Sequence, residues 1–276
     1  MNEWERLSGK AFEVLGEWWR RLSQALSMVE ASVRRRRLFG PSLTSFSNKY
    51  WIGKTDGGHR YSTEQWFQKY ASELLAMLPS SGTLLDVGCG ACQLTTYLAP
   101  KFEQVYAVDF SETMLAMARQ RIESRGLTNV RLLSGTAQEF PEVISSANVI
   151  LSYQLLQYLT LTDFSQHLYE CRRVLSKGGM VCAAMIPNSA LKQLYYHGKL
   201  IPNQVQFVGR IRRWIYLTSR RVIAHFQRDL LWDGIGNWFS QSDIERIANE
   251  SGFDVEFRNS WFYEYRFHAL LTPKQQ

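Results

Sequence analysis

Short apolar stretches recur along the middle of the chain, and segments with apolar residues at helical spacing separate them. The stretches are rich in Val, Ile, Leu and Ala, which is typical of strands buried on both faces. Strands that alternate with helices predict a mostly parallel sheet with right-handed crossovers. The predicted strands are 83–87, 104–109, 130–134, 147–152, 180–186, 254–260 and 265–271. A very short connection separates the last two, which therefore predict an antiparallel hairpin.

The first predicted strand, 83–87, leads into a turn that contains two glycines. The turn reads Asp86-Val87-Gly88-Cys89-Gly90, and apolar residues at helical spacing follow it. Glycines between a strand and a helix let the backbone approach a ligand closely, and the start of the helix offers unpaired N–H groups. The pattern predicts a cradle for a nucleotide-type ligand. An ordinary turn gives the same pair of glycines, so the interpretation depends on the next strand.

Asp109 closes the second predicted strand, about 20 residues after the first glycine. Doubly wound folds present a carboxylate to ribose hydroxyls at this place. A dinucleotide fingerprint would have a third glycine where this chain has Gln93, and it would lack an acid at Asp86. An acid there disfavours a pyrophosphate and suits a cationic ligand. The two strands together predict a ribose-bearing cofactor with a positive charge.

Four motifs, in this order, resemble those of class I S-adenosylmethionine-dependent methyltransferases. They are Asp86-x-Gly88-x-Gly90, Ala107-Val108-Asp109-Phe110-Ser111, Met114-Leu115-x-x-Ala118 and Leu175-Ser176-Lys177-Gly178-Gly179. The resemblance covers residues 83–187 and implies an α/β fold: a Rossmann-like, doubly wound, seven-stranded sheet that is mostly parallel and ends in an antiparallel hairpin. Cys92 stands where the family usually has a third glycine, and Thr136 stands where an acid often follows the third strand.

The resemblance also implies which residues bind S-adenosylmethionine. In the family, the glycine turn holds the methionine end, and the acid after the second strand holds the ribose. Residues just beyond that acid and after the third strand surround the adenine, and the end of the fourth strand lies nearest to the transferred methyl group. The predicted cofactor-binding residues are Asp86, Gly88, Cys89, Gly90, Asp109, Phe110, Met114, Thr136, Ala137, Gln138, Ser152 and Tyr153.

No catalytic base and no metal site are predicted. Metal-dependent members of the family need clustered acids after the fourth strand, where this chain has Ser152-Tyr153-Gln154. His59, His197 and His268 lie near the right regions, but a lone histidine on a strand is more typical of a core residue than of a catalyst. We therefore expect metal-independent transfer, in which the protein aligns the acceptor and excludes water.

The four cysteines, Cys89, Cys92, Cys171 and Cys182, do not have zinc-site spacing. They indicate reduced thiols in a cytoplasmic protein. The close pair in the glycine turn is interpreted as loop packing, with a redox pair as the alternative. No apolar run approaches the length of a membrane span and no cleavable signal pattern is present, so we expect neither secretion nor spanning.

Residues 3–37 carry apolar side chains at steps of three and four, which predicts an amphipathic helix. It ends in the basic run Arg34–Arg37. Three interpretations stay open: a cap on the catalytic domain, a helix on an anionic membrane surface, and a dimer seam. The membrane interpretation adds peripheral contact with the inner membrane to a cytoplasmic location.

Residues 188–235 interrupt the alternation of strands and helices, and they combine many Lys and Arg residues with interleaved aromatic residues. We interpret them as an inserted helical lid over the carboxyl ends of the strands. The alternative is a solvated basic face, which explains the charges but explains the aromatic residues poorly. A second group of aromatic and basic residues, between Tyr50 and Tyr61, is a further lid candidate. The predicted division is a helix and cap loop at 1–60, a methyltransferase core at 61–187, the lid at 188–235 and the end of the core at 236–276.

The acceptor is predicted from charge and from a second resemblance. The net charge is +7, and much of it lies in the lid and the N-terminal helix. The segments Trp232–Ser240, Asn259-Ser260-Trp261 and Tyr265–Ala269 are similar to methyltransferases encoded with bacterial polysaccharide pathways. We therefore expect a small-molecule, sugar or lipid-linked glycan acceptor, anionic in character, and no nucleic acid. The alternatives are an RNA or protein methyltransferase, or a cofactor-binding partner protein without catalysis.

Overall fold

The structure is a computed structural model that describes residues 64–196, residue 200 and residues 235–274. Several predictions therefore lie outside the described residues. These are the amphipathic helix at 3–37, the lid candidates between Tyr50 and Tyr61, His59, His197, and most of the inserted lid. The predicted domain boundaries stay predictions.

The described residues contain a seven-stranded sheet with the order β3-β2-β1-β4-β5-β7-β6. Strand β7 is antiparallel to both β5 and β6, and the other neighbouring pairs are parallel. The sheet confirms the predicted Rossmann-like α/β fold and its closing hairpin. The strands are β1 Thr83–Val87, β2 Gln104–Asp109, β3 Val130–Ser134, β4 Ala147–Tyr153, β5 Leu175–Pro187, β6 Phe253–Asn259 and β7 Arg266–Pro273.

Helices connect most of these strands, and polar side chains fix several of their starts. The α-helices of the described residues are α1 Glu64–Leu75, α2 Thr95–Leu98, α3 Glu112–Ser124, α4 Leu161–Val174, α5 Lys192–Tyr196 and α6 Gln241–Glu250. Ser111 caps α3 by accepting a hydrogen bond from the Met114 N–H, and Thr160 forms a capping box with Asp163 at α4. Such caps satisfy backbone donors that a helix start would otherwise leave unpaired.

The sheet is covered on both faces, as the apolar strands require. On one face, β-strand residues such as Leu85 and Ile150 pack with Phe164 of α4 and Ile244 of α6. On the other face, Leu84 and its neighbours pack against α1 and α2. Helix α3 covers a smaller cluster beside β2. The doubly covered sheet leaves the carboxyl ends of its parallel strands as the edge where ligands bind in such folds.

Two local features differ from the predicted alternation of strands and helices. No helix forms between β3 and β4, because Gly135 and Pro141 interrupt the segment, and buried Phe140 and Ile144 fill the space instead. Strand β5 begins at Leu175, directly after α4, rather than at residue 180. Its pairing with β7 shifts between Ala183 and Ile186, and Met185 has a positive φ of 62°. Bulges of this kind bend a strand and change the direction of its side chains.

Candidate active site

The glycine turn after β1 is held against the end of β2. The N–H groups of Gly88 and Cys89 both donate to the carbonyl of Val108, at 2.8 Å and 3.1 Å. Gly88 and Gly90 have positive φ values of 73° and 54°, which disfavour a side chain. A Cβ on Gly90 would meet no described heavy atom within 4 Å, so space lies open beside the turn. Cys92, at the third-glycine position, is fully buried with φ 55°.

Asp109 joins this turn to the start of α3. One carboxylate oxygen accepts from the Gly90 N–H at 2.9 Å, and the other accepts from the Ser111 N–H at 2.9 Å. The side chain is only 7% exposed. Burial raises the pKa of Asp109, and the N–H donors act in the opposite direction. Because each carboxylate oxygen can accept more than one hydrogen bond, Asp109 keeps capacity for a ligand hydroxyl.

Asp86 is a second buried carboxylate at the same edge. It accepts a hydrogen bond from the Thr95 hydroxyl at 2.7 Å and is 3% exposed. Burial raises the pKa of Asp86 to about 6, and the nearby charge of Asp109 adds to the increase. Neither acid forms an ion pair with a Lys, Arg or His of the described ranges. Two desolvated carboxylates without a counterion favour a cationic ligand.

The other predicted residues around the turn lie close to these acids in the fold. Phe110 follows Asp109 directly and is half-buried, while Met114 is buried on the first turn of α3. The Gly135 N–H donates to the Asp109 carbonyl at 3.2 Å, which brings the segment containing Thr136, Ala137 and Gln138 to this edge. The thiol of Cys89 has a pKa raised well above its ordinary value, first by a hydrogen bond with Cys92 and then by burial. It is a protonated packing group.

Ser152 is placed in the core, where its hydroxyl lies 2.7 Å from Nε2 of His167 on α4. The other ring nitrogen of His167 donates to the Ala137 carbonyl at 2.8 Å, so Nε2 is the acceptor for the Ser152 hydroxyl. Burial lowers the pKa of His167 to about 4, which keeps the ring neutral. Sequence reasoning missed His167, whose only signal was its place on the apolar face of α4.

Tyr153, the last residue of β4, belongs to an aromatic cluster at the same edge. Its ring centroid lies 6.1 Å from that of Tyr70, and the Tyr70 hydroxyl lies 2.6 Å from that of Tyr263. The cluster continues through ring contacts of Tyr263 with Tyr265 at 5.7 Å and of Tyr265 with Tyr195 at 4.6 Å. We call this set the aromatic cluster: Tyr70, Tyr153, Tyr195, Trp238, Tyr263 and Tyr265. Tyr195 is one of the predicted lid aromatics.

Arg266 and Gln157 lie beside the aromatic cluster. Arg266 begins β7, and its guanidinium donates to the Met185 carbonyl and, at 3.0 Å, to the Gln157 side-chain oxygen. Its charge partly offsets the effect of burial, which raises the pKa of Tyr153 well above the ordinary value. Neither Arg266 nor Gln157 was predicted as a site residue.

A buried pair behind the aromatic cluster fixes the β6–β7 connection. Glu73 of α1 lies 3.1 Å from Nε2 of His268, and it also accepts from the Trp261 N–H. Both side chains are almost fully buried. His268 therefore lies in the core, as expected for a lone histidine on a strand.

Across residues 64–196 and 235–274, no three His, Cys, Asp or Glu side chains converge as metal ligands would. The expectation of metal-independent transfer stays a prediction. Within the same residues, every helix is too short or too polar to cross a lipid bilayer.

Comparison with known proteins identifies the family. The family described as "Methyltransferase domain" matches residues 84–179. A demethylmenaquinone methyltransferase of Geobacillus kaustophilus is 36% identical over 185 residues, which cover 63% of this chain and 72% of the relative. A ubiquinone biosynthesis O-methyltransferase of Cereibacter sphaeroides is 31% identical over 130 residues, 46% of this chain and 51% of the relative, so the chain spans about half of its length.

A solved structure shows the same fold. Magnesium protoporphyrin IX methyltransferase from Synechocystis PCC 6803, with bound S-adenosylmethionine, superposes with a TM-score of 0.56 at 13% identity, over 86% of this chain and 99% of that one. The sequence matches and the glycine turn with its two acids lead to one conclusion. The chain belongs to the class I S-adenosylmethionine-dependent methyltransferases.

Proposed function

We propose that this enzyme transfers the methyl group of S-adenosylmethionine to a small, ring-containing acceptor that packs against the aromatic cluster. The observation that carries the proposal is the position of Tyr153. It ends β4, the strand next to the glycine-turn strand β1, and its ring belongs to the aromatic cluster. A cofactor held at the turn and a ring held by the cluster would therefore lie on neighbouring strand ends.

The residues of the glycine turn fit S-adenosylmethionine in shape and charge. Space is open beside Gly90, where a side chain would meet no described atom. Asp109 is buried, points at the turn and keeps hydrogen-bonding capacity for ribose hydroxyls. Asp86 is a desolvated carboxylate without a cationic partner in the described ranges, which suits the positively charged end of the cofactor.

The proposed roles follow from these positions. The backbone from Gly88 to Cys92, including Cys89 and Gly90, binds the methionine end, and Asp86 interacts with its positive charge. Asp109 accepts from the ribose hydroxyls. Phe110 and Met114 pack against the adenine, and Thr136, Ala137 and Gln138 line its polar edge. Ser152 acts indirectly, because its hydroxyl holds His167, which in turn holds the Ala137 carbonyl.

When bound, S-adenosylmethionine supplies a methyl group attached to a positively charged sulfur. The chain has to orient the acceptor atom towards that methyl group and keep water out. Tyr153 is the proposed residue nearest to the acceptor. Its raised pKa keeps the hydroxyl protonated, so it can donate a hydrogen bond to an acceptor oxygen rather than act as a base.

The names of the relatives and the sequence-based prediction favour different classes of ring. The relatives are named for demethylmenaquinone and ubiquinone biosynthesis, which favours a quinone-type ring. A sugar or lipid-linked glycan is the finer prediction from the sequence, and aromatic walls also suit sugar rings. Incubation with methyl-labelled S-adenosylmethionine and separate quinol and lipid-linked glycan fractions distinguishes them by which fraction becomes labelled.

Peripheral membrane contact through residues 3–37 is a separate proposal. It rests on the basic run Arg34–Arg37 and on the attraction of basic residues to anionic lipid surfaces. The full chain should co-sediment with anionic vesicles at low salt and lose this binding when the run is replaced by glutamines. Failure of the full chain to bind such vesicles would exclude the contact.

Asp109→Ala tests the cofactor site itself. The loss of hydrogen bonds to a charged group should weaken S-adenosylmethionine binding by about 1.5–3 kcal/mol, measured by calorimetry. Glu112→Ala is the matched control, because Glu112 is an exposed acid in the first turn of α3. Equal affinities of the two variants would show that Asp109 does not hold the ribose.

A further inference from the structure

Arg266 lies at the edge of the sheet where the acceptor is proposed to bind. It is the first residue of β7 and pairs with Pro187, the last residue of β5. Because β7 runs antiparallel to β5, its first residue is at the carboxyl ends of the parallel strands. The guanidinium carbon lies 5.3 Å from the centre of the Tyr265 ring, and the charge of Arg266 acts on Tyr153. Arg266 therefore lies beside the rings of the aromatic cluster.

The partners of Arg266 are neutral. Its hydrogen bonds go to the Met185 carbonyl and to the Gln157 side-chain oxygen. No Asp or Glu of residues 64–196 or 235–274 forms an ion pair with it. Arg266 is nevertheless only 7% exposed. A buried guanidinium without a counterion carries a large desolvation cost.

If Arg266 only stabilised the neighbouring backbone, its hydrogen bonds would be explained but its charge would not. The Met185 carbonyl belongs to the β5 bulge, and Gln157 belongs to the short 3-10 helix after β4. A neutral donor such as glutamine could serve either oxygen without a buried charge. A guanidinium also has five N–H donors in a planar fork, and these two bonds leave donors for a further acceptor.

We infer that Arg266 is a specificity residue that binds an anionic oxygen on the acceptor, a carboxylate or a phosphate, while the acceptor ring packs on the aromatic cluster. The inference rests on the proposed function, since it assigns the acceptor of the same site. Charge-assisted hydrogen bonds to a guanidinium are short and strong, and a planar oxyanion can take two of them at once. The anionic group supplies the counterion that Arg266 lacks among the described residues.

Three matched probes test the inference: naphthoate, naphthyl phosphate and uncharged naphthamide, with the substituent at the same ring position. Each is titrated by calorimetry into the full chain saturated with S-adenosylhomocysteine. The unaltered protein should bind at least one anionic probe about tenfold more tightly than the amide, the lower end expected for a charged hydrogen bond. The anionic probe with the larger gain in affinity over the amide indicates whether the acceptor carries a carboxylate or a phosphate.

Arg266→Gln should reduce the ratio of anion to amide affinity to about one, and Arg266→Lys should keep part of it. Arg258→Gln should leave the ratio unchanged, because Arg258 is exposed on the neighbouring strand β6 and pairs with Glu256. Affinity for S-adenosylhomocysteine, measured first, reports on the proposed function independently of the probes.

Several outcomes would overturn the inference. Equal affinities of the unaltered protein for all three probes, or no binding of any, would show that no oxyanion site exists. An equal loss for all three probes in Arg266→Gln would show that Arg266 only braces the β5 bulge. If Arg266→Gln does not fold, the affinity ratio in the unaltered protein and in Arg266→Lys still decides the question.

Discussion

The glycine turn and the aromatic cluster lie at the same edge of the sheet but are assembled from the chain in different ways. The turn, its two acids and the start of α3 come from one continuous stretch between Asp86 and Met114. The cluster combines residues of α1, the end of β4, α5, the segment just before α6 and the β6–β7 connection, from Tyr70 to Tyr265. One side of the site depends on local backbone geometry, and the other depends on long-range packing.

The glycine turn and the aromatic cluster are therefore held in place by different interactions. The glycine turn is held by backbone hydrogen bonds to Val108 and by Asp109, all within two neighbouring strands. The aromatic cluster requires α1 and the β6–β7 connection to meet, and the buried contact between Glu73, His268 and the Trp261 N–H joins them. A substitution in that contact should disturb the aromatic cluster without disturbing the cofactor side.

The largest effect is expected for Glu73→Ala. It leaves the His268 ring nitrogen and the Trp261 N–H without their acceptor and opens a cavity in a fully buried place. The free energy of unfolding should fall by about 2–4 kcal/mol, measured by denaturant titration. The affinity for S-adenosylmethionine, measured at a denaturant concentration well below the unfolding midpoint, should be unchanged.

Two further variants sharpen the test of Glu73. Glu73→Gln keeps a carbonyl acceptor and should lose less stability than Glu73→Ala. Gln65→Ala on the exposed face of the same helix should change stability by no more than about 0.5 kcal/mol. A parallel loss of cofactor affinity in Glu73→Ala would show that the two sides of the site are not independent.

The same difference explains what the sequence predicted. The strands, the glycine turn and Asp109 lie within short segments, so hydrophobic period and glycine placement were enough to predict them. Arg266, Gln157 and Glu73 acquire their importance only when distant segments meet, and nothing in their immediate neighbours distinguishes them. His167 is similar, because a histidine on an apolar helical face gives no indication that it joins Ser152 to Ala137.

The two predictions about secondary structure that were wrong also have local physical causes. The β3–β4 connection was expected to be helical by analogy with the other crossovers, but it lacks a helix and packs through Phe140 and Ile144. Strand β5 begins at Leu175, directly after α4 ends at Val174, and it therefore includes Gly178 and Gly179, which the apolar pattern placed outside the strand. Patterns of apolar residues locate an element more reliably than they locate its ends.

A smaller effect is expected on the cofactor side, through the protonation of Asp86. The pKa of Asp86 is about 6, so the carboxylate is mostly ionised at pH 7 and mostly protonated at pH 5. A cationic cofactor binds the ionised form better, so affinity should decrease as the pH decreases. Between pH 7 and pH 5 the loss should be about tenfold for S-adenosylmethionine.

Calorimetric titrations at both pH values with Asp86→Asn provide the decisive comparison for this last prediction. The variant cannot ionise, so its affinity should be lower at pH 7 and nearly constant down to pH 5, apart from a residual decrease from Asp109, whose pKa is also raised. Glu112→Gln, an exposed acid nearby, should retain the full decrease of the unaltered protein. If the unaltered protein binds equally well at pH 5 and pH 7, Asp86 does not act through its charge, and the cofactor side would depend on the backbone of the glycine turn and on Asp109 alone.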